Sequence, residues 1–188
     1  MSHIRIFLIL LVLILVVSLS GCLTCEKKEY VFELKGVNKG HLTIRYINIF
    51  SQQSDTLASL ENDYDELLKV WLHDKKVEDD YPQARNLKKR LYEANGQLCG
   101  EVTMDFDDVR QVRLFQYQSG PYMINTGALP DDGETYLSSN GDFGDVHMPV
   151  VFYPSSTTTI RLTTQIAKPD PTCTSLIDFW IEGGKPKK

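Results

Sequence analysis

The chain has 188 residues, a formal net charge of −5 and 42% hydrophobic residues. This length is typical of one domain with a sizeable core, and the composition is that of a globular rather than a disordered protein. The acidic balance argues against nucleic acid as a partner, because domains that bind nucleic acid present a basic stripe. The basic tail at residues 183–188 is expected to be a solvated end.

The first 21 residues have the pattern of a secretory signal peptide. Arg5 precedes an unbroken apolar run from Ile6 to Val17, and this run is too short for a membrane-spanning helix of roughly 20 residues. After the run, the chain reads Leu19-Ser20-Gly21-Cys22. This stretch resembles the lipobox of bacterial lipoprotein precursors.

The resemblance implies that the thiol of Cys22 receives a diacylglyceryl group and that a dedicated peptidase cuts after Gly21. Acylation of the new N-terminus is implied as well, and two or more acyl chains hold a protein stably where one is marginal. The domain is then expected outside the cytoplasm, anchored by lipid to a membrane of the cell envelope. Leu23 stands where many inner-membrane lipoproteins of Gram-negative bacteria carry an aspartate, which favours the outer membrane for a Gram-negative source.

Residues 22–29 are expected to form a short lipid-anchored tether, and residues 30–182 a single domain. The domain is predicted to begin with a β-hairpin, because two alternating segments flank a loop with turn-forming residues at both ends. The residues that recur at every second position are Tyr30, Phe32 and Leu34, followed by Leu42, Ile44 and Tyr46.

Two helices are predicted after the hairpin. Apolar residues at intervals of three and four predict an amphipathic helix, which we expect to pack on the protein's own sheet rather than to form a partner-binding seam. A second helix is predicted from Pro82 to Ala94, because proline is tolerated in a first turn and Asn95-Gly96 is a typical stop. The stripe of the first helix consists of Leu57, Leu60, Tyr64, Leu67 and Trp71.

From Gln97 onward, alternating segments predict further strands. The predicted fold is α+β, with an N-terminal β-hairpin and two helices packed on one face of a mostly antiparallel sheet. Residues 125–148 are rich in Gly, Asp and Ser and too long for an ordinary connection, so we expect a functional or mobile loop. The predicted strands lie within residues 98–106, 112–117, 122–124, 150–153, 158–167 and 176–181.

Three cysteines besides Cys22 are expected in an oxidising compartment. They permit one disulfide and leave one thiol. Cys99 opens a strand and Cys173 precedes the last predicted strand, so both can lie at one sheet edge and are predicted to be bonded. A bond between Cys25 and Cys173 remains open as the alternative.

The long loop is a candidate calcium or ligand site. Calcium takes six to eight oxygen ligands, and this region supplies carboxylates beside glycines. The spacing misses the EF-hand pattern, and Asp, Asn and Gly are also the ordinary residues of turns, so a set of turns is the simpler interpretation. The candidate ligands are Asp131, Asp132, Glu134, Asn140, Asp142 and Asp145.

Aromatic residues surround the same loop. They could form a platform for a sugar or peptide ligand, but we expect them to close one end of a sheet. The residues are Tyr117, Tyr122, Tyr136, Phe143, Phe152 and Tyr153.

The sequence carries no familiar catalytic motif. His41, His73 and His147 lie far apart and lack the spacing of metal ligands. We therefore expect a non-enzymatic binding or envelope-assembly module without a cofactor, whose partner is an envelope protein or a small ligand. The alternative is an envelope hydrolase or metal-dependent enzyme with scattered residues, which would be favoured by a cleft joining His147 to Asp142 or Asp145 and to a serine or metal.

Overall fold

The fold starts from a hairpin of two strands of 12 residues each, β1 (Leu23–Leu34) and β2 (Gly40–Ser51). The computed structural model describes residues 23–36, 38–52, 56–130 and 133–180. The two strands pair antiparallel from Leu23 opposite Ser51 to Leu34 opposite Gly40. The predicted hairpin is confirmed, but β1 begins at Leu23 rather than at Tyr30. Residues 23–29, which were expected to belong to a tether, therefore lie within the sheet.

The first predicted helix is present. Helix α1 (Leu57–Glu66) begins where the Thr56 hydroxyl accepts a hydrogen bond of 3.2 Å from the Ser59 N–H, and the chain continues as a π-helix over Leu67–His73. Helix α2 (Lys76–Asp80) follows. Within the described ranges, no helix is long and apolar enough to cross a membrane.

The stripe of α1 turns toward the sheet at its second half. Tyr64 and Leu67 are buried in a cluster with Ile49 and Leu98 of the sheet. Leu57, the first residue of the stripe, is 67% exposed. The contact with the sheet therefore begins about one turn into the helix.

The second predicted helix, from Pro82 to Ala94, is wrong. These residues contribute β3 (Arg85–Ala94), which pairs antiparallel with β4 (Gln97–Phe106). Asn95 and Gly96 connect the two strands with φ angles of 53° and 74°. Positive φ at both central residues is typical of the type I′ turn that joins two-residue hairpins, so this dipeptide turns a hairpin instead of ending a helix.

All strand pairs of the described residues are antiparallel, and the architecture is α+β with sheet predominating. The main sheet has the order β3-β4-β2-β1-β10-β7, and β11 pairs with the end of β2. A second sheet has the order β5-β6-β9-β8. The remaining strands are β5 (Phe115–Gln116), β6 (Tyr122–Asn125), β7 (Thr135–Ser139), β8 (Asp142–Phe143), β9 (Val150–Tyr153), β10 (Thr159–Gln165) and β11 (Thr174–Ser175).

Two sequence expectations in the second half need correction. The region 125–148, expected to be a loop, contains β7 and β8. The strand expected at 176–181 is replaced, over its described part, by a 3-10 turn at Ile177–Phe179 that follows β11. Both segments are short, so their alternation spans too few residues to separate strand from turn.

The core has two parts. The larger cluster joins the main sheet to the second sheet, with Phe32, Leu42 and Ile160 on one side and Ile124, Val151 and Tyr153 on the other. The smaller cluster lies under α1 and the π-helix and includes Cys25, Ile49, Leu91, Leu98 and Leu176. The first residues of β1 belong to the smaller cluster, so β1 begins where the helices cover the sheet.

Candidate functional site

A cavity of about 320 Å³ lies between the helices and the sheet. On the sheet side it is lined by the first half of β1 and the second half of β2. We call it the helix–sheet cavity. Eleven of the sixteen residues that line it are apolar, aromatic or cysteine. The volume is at the lower end of the range for small-molecule sites, which is about 300–1,000 Å³. The aliphatic part of the wall consists of Leu23, Ile49, Leu67, Val70, Val77 and Ile166.

One wall residue of the cavity is a buried lysine. Lys28 is 2% exposed, and its Nζ donates a hydrogen bond of 3.0 Å to Oε1 of Glu134. Glu134 also accepts hydrogen bonds from the hydroxyl groups of Tyr30, at 2.9 Å, and Thr164, at 2.8 Å. A buried ion pair is tolerated only when further hydrogen bonds satisfy its charges. At Glu134, three donors from β1 and β10 provide these hydrogen bonds.

Burial and the neighbouring carboxylate of Glu134 raise the pKa of Tyr30 well above its usual value. The Tyr30 hydroxyl therefore stays protonated at physiological pH and remains a hydrogen-bond donor to Glu134. This cluster of Lys28, Tyr30, Glu134 and Thr164 is called the Glu134 cluster below.

Aromatic rings form another part of the wall. Tyr46 and Trp71 meet edge to face with their ring centroids 5.2 Å apart, and Lys28 Nζ lies 4.9 Å from the centroid of the Tyr46 ring. Tyr81 completes the aromatic wall, and burial raises the pKa of its hydroxyl. The aromatic wall thus offers both apolar ring surface and, at Tyr46, contact with a cation.

Trp71 fits closely against the sheet because position 100 is glycine. A Cβ atom on Gly100 would lie 2.7 Å from Cη2 of Trp71, which is closer than carbon atoms pack. The indole Nε1 of Trp71 is buried and has no hydrogen-bond partner among the described residues. The position of the ring is therefore fixed by packing against Gly100 and Tyr46 rather than by a hydrogen bond.

The structure does not bring the candidate calcium ligands together. Glu134 belongs to the buried Glu134 cluster, while Asn140 Oδ1 accepts from the N–H of Arg161 at 2.7 Å. Asp145 accepts from the backbone N–H groups of His147 and Met148 at 2.6 and 2.9 Å, which is turn capping. Asp142 is exposed on β8. Asp131 and Asp132 lie outside the described residues, and across the described part of the chain no three metal-ligating side chains converge.

The aromatic residues near this region mostly pack. Tyr122 and Tyr153 are buried, and Tyr136 stacks on Phe143 with a centroid distance of 3.9 Å. Tyr117 is the exception, with 73% of its surface exposed. Most of these rings therefore pack within the protein, and their role in closing one end of a sheet stays a prediction.

The predicted disulfides are absent from the structure. Cys99 and Cys173 are free thiols, and Cys173 belongs to both proposed pairs, so neither the Cys99 bond nor the Cys25 bond is formed. Strand register gives the reason: Gly100 faces Tyr46 of β2, whereas Thr174 faces Ser51. At about 3.3 Å per residue this places Cys99 and Cys173 roughly 16 Å apart along β2, beyond the 4.4–6.8 Å that a disulfide spans. Burial also raises the pKa of the Cys99 thiol.

The histidines occupy unrelated positions. His41 Nδ1 lies 2.8 Å from Oδ1 of Asp105 on the outer face of the main sheet, and His73 is exposed at the end of the π-helix. His147 is exposed in a turn, where the Asp145 carboxylate binds its backbone rather than its ring. Asp142, Asp145 and His147 are all exposed, so they do not form the cleft that would favour the hydrolase alternative.

Lys28 and the other residues that line the helix–sheet cavity were not among the predicted ligand-binding residues. Glu134 was a candidate calcium ligand, and its pairing with Lys28 had no signal in the sequence. Lys28 was assigned to a tether, although it lies two residues before Tyr30 and so continues the inward-facing positions of β1. Trp71 was recognised as part of a helical stripe but not as a cavity wall.

Comparisons with known proteins found no match for this chain: no family model, no curated protein and no solved structure.

Proposed function

We propose that the protein is a lipid-anchored lipoprotein of the cell envelope, with its domain outside the cytoplasm acting as a non-enzymatic binding module. The helix–sheet cavity is its ligand site. The observation that carries the proposal is the place of Leu23, which lines the cavity and directly follows Cys22, the residue that the lipobox marks for lipid. Leu23 in that place also favours the outer membrane in a Gram-negative source.

The short distance between lipid and cavity supports a role at a membrane surface. Consecutive Cα atoms are about 3.8 Å apart, so a lipidated Cys22 is held within one residue of the cavity wall. Leu23 is itself paired with Ser51 in the sheet. A domain attached in this way stays against its membrane, and its cavity meets molecules that reside in or on the bilayer.

The chemistry of the wall supports binding rather than catalysis. Glu134 accepts from three protein donors and is thereby engaged in holding β1 and β10 to the segment before β7. A general base must instead be within hydrogen-bond reach of a substrate proton. The cavity combines apolar walls with a few placed polar groups, which is the usual composition of a small-molecule binding site.

The test is native mass spectrometry of the full-length protein released from native-membrane particles. Val70, 36% exposed at the cavity wall, is changed to tryptophan to fill the cavity. The control is Leu57→Trp, which adds the same indole to an exposed site on α1. We expect a non-covalent adduct on the parent and the control that is missing from Val70→Trp. Identical adducts on all three proteins would contradict a ligand site in the cavity.

A further inference from the structure

We infer that the ligand of the helix–sheet cavity is an acyl chain of a zwitterionic membrane phospholipid, with its headgroup at the charged rim. This inference rests on the proposed function, because it takes the cavity as the binding site and the membrane surface as the place where the ligand is met.

The apolar wall of the cavity favours the hydrocarbon chain of a ligand. Leu67, Val70 and Val77 face the cavity from the helical side, and Ile49 and Ile166 from the sheet side. An acyl chain that moves from the bilayer to such a wall exchanges one apolar environment for another, so its transfer costs little. A volume of about 320 Å³ accommodates part of a single chain rather than a whole two-chain lipid. The remainder of the lipid then stays in the bilayer.

The charges around the cavity select the headgroup. The lining includes two basic residues, Lys28 and Lys76, and two acidic residues, Glu66 and Asp80. Lys28 is buried and paired with Glu134, while Lys76 is exposed on α2. A rim that carries both signs matches a headgroup with both a phosphate and an ammonium group. It does not attract a purely anionic headgroup, because the acidic side chains repel it.

The cavity lies next to the expected lipid anchor. Leu23, Thr24 and Cys25 all line it, and they are the first three residues after Cys22. The cavity is therefore at the end of the domain that a lipid anchor would hold against the bilayer. Phospholipids are the most abundant amphiphiles at that distance from the anchor, so a chain needs to leave the bilayer only partly to enter.

The experiment uses the full-length protein, purified with its lipid and reconstituted into phospholipid vesicles. The vesicles contain a phosphatidylethanolamine whose acyl chain carries a photoreactive diazirine, and crosslinked residues are mapped by mass spectrometry after irradiation. We expect crosslinks on the cavity wall, at residues such as Leu67, Val70 and Val77. Val70→Trp should remove most of these crosslinks, because its indole occupies the space that the chain would take, whereas Leu57→Trp should leave them unchanged.

A second pair of measurements tests the headgroup. An otherwise identical phosphatidylglycerol probe should crosslink the wall less than the phosphatidylethanolamine probe, and Lys76→Glu should reduce crosslinking by the latter, since it removes the exposed cation of the rim. Lys76 is exposed, so this variant also serves if Val70→Trp fails to fold. Equal crosslinking by both headgroups, or crosslinks that persist at full yield in Val70→Trp, would overturn the inference. A protein that carries lipid on Cys22 but crosslinks only outside the cavity contradicts this inference alone, whereas a protein without lipid on Cys22 contradicts the proposed function.

Discussion

At the scale of single residues, the structure depends on a carboxylate that is almost completely buried. Glu134 is 8% exposed and takes hydrogen bonds from Lys28, Tyr30 and Thr164. The partners are 106, 104 and 30 residues away along the chain. One side chain therefore ties two strands of the main sheet to the segment that precedes β7.

Replacing Glu134 with alanine is expected to destabilise the fold by about 3–5 kcal/mol, because removing one partner of a buried ion pair leaves the other charge uncompensated. The Tyr30 and Thr164 hydroxyl groups lose their acceptor at the same time. Urea denaturation measures the loss. Glu61→Ala, at an exposed position of α1, is the matched control and should change stability by no more than about 0.5 kcal/mol. A similar small effect at Glu134 would show that the cluster does not hold the fold.

The same residues show why the site could not be predicted from the sequence. Lys28 interrupts the apolar alternation of β1, so a search for apolar positions ends at Tyr30 and assigns the preceding residues to a tether. Glu134 lies in a segment rich in turn residues, where a carboxylate suggests a metal ligand. The pairing of β1 with β10 and of β10 with β7 brings the two charges together, and this long-range pairing has no local signal in the sequence.

At the scale of elements, the β3–β4 hairpin shows that the dipeptide Asn95-Gly96 is compatible with two structures, the end of a helix and the turn of a hairpin. Asn-Gly occurs both after helices and in type I′ turns, because both places require a positive φ angle. Half of the residues from Arg85 to Ala94 are charged and their alternation is only partial, so their pattern does not exclude a helix. Pairing with β4, in which seven of ten residues are buried, makes this segment a strand.

Gly96→Ala should destabilise the protein by about 1–2 kcal/mol, because a Cβ atom is unfavourable in left-handed backbone and Gly96 has φ of 74°. No side chain would obstruct the new methyl group, since no other atom lies within 4 Å of a Cβ built there. The loss therefore reports backbone conformation alone and is measured by chemical denaturation. Asn95→Asp, which keeps a residue that tolerates positive φ, is the control and should be nearly neutral. Equal stabilities would contradict the type I′ turn.

A row of alternating charges crosses the outer face of the main sheet. Strand register aligns Glu29, Arg45, Glu101 and Arg90 on four neighbouring strands. Arg45 Nε donates to Glu101 at 3.1 Å, and Arg90 lies 2.7 Å from the same carboxylate. Burial alone would raise the pKa of Glu101, but the hydrogen bonds from Arg90 and Arg45 outweigh it and hold the pKa below its ordinary value of 4.5.

The lowered pKa of Glu101 predicts a pH dependence of stability. Between the native pKa of Glu101 and pH 4.5, the unfolded chain binds more protons than the folded one. The stabilisation that Glu101 contributes is therefore complete above pH 4.5 and is lost as the pH falls through the native pKa. Glu101→Gln removes this titration. The difference in unfolding free energy between parent and variant should therefore be largest near neutral pH and shrink below pH 4.5. Urea titrations at several pH values measure these unfolding free energies. A difference between parent and variant that stays constant from neutral to acidic pH would contradict the lowered pKa of Glu101.

At the scale of the whole molecule, the hairpin, the first helix, the antiparallel sheet and several strands follow from patterns within short stretches of sequence. The helix–sheet cavity does not, because its walls come from β1, β2, the helices and residues near 130 and 166. The proposed lipid anchor is a different case: its pattern is local and lies within residues 1–22, which are outside the described residues. The proposed anchor and the cavity together support the proposal of a binding module held at a membrane surface.

Lipidation of Cys22 is the claim on which this account most directly depends, and metabolic labelling of cells with an alkyne fatty acid tests it. The parent protein should carry the label, and its mass should show loss of residues 1–21. Cys22→Ser should be unlabelled and uncleaved, since serine provides no thiolate for the thioether bond. Membrane fractionation alone would not discriminate, because an uncleaved apolar segment can also remain in the membrane. Equal labelling of the parent and Cys22→Ser would contradict the account.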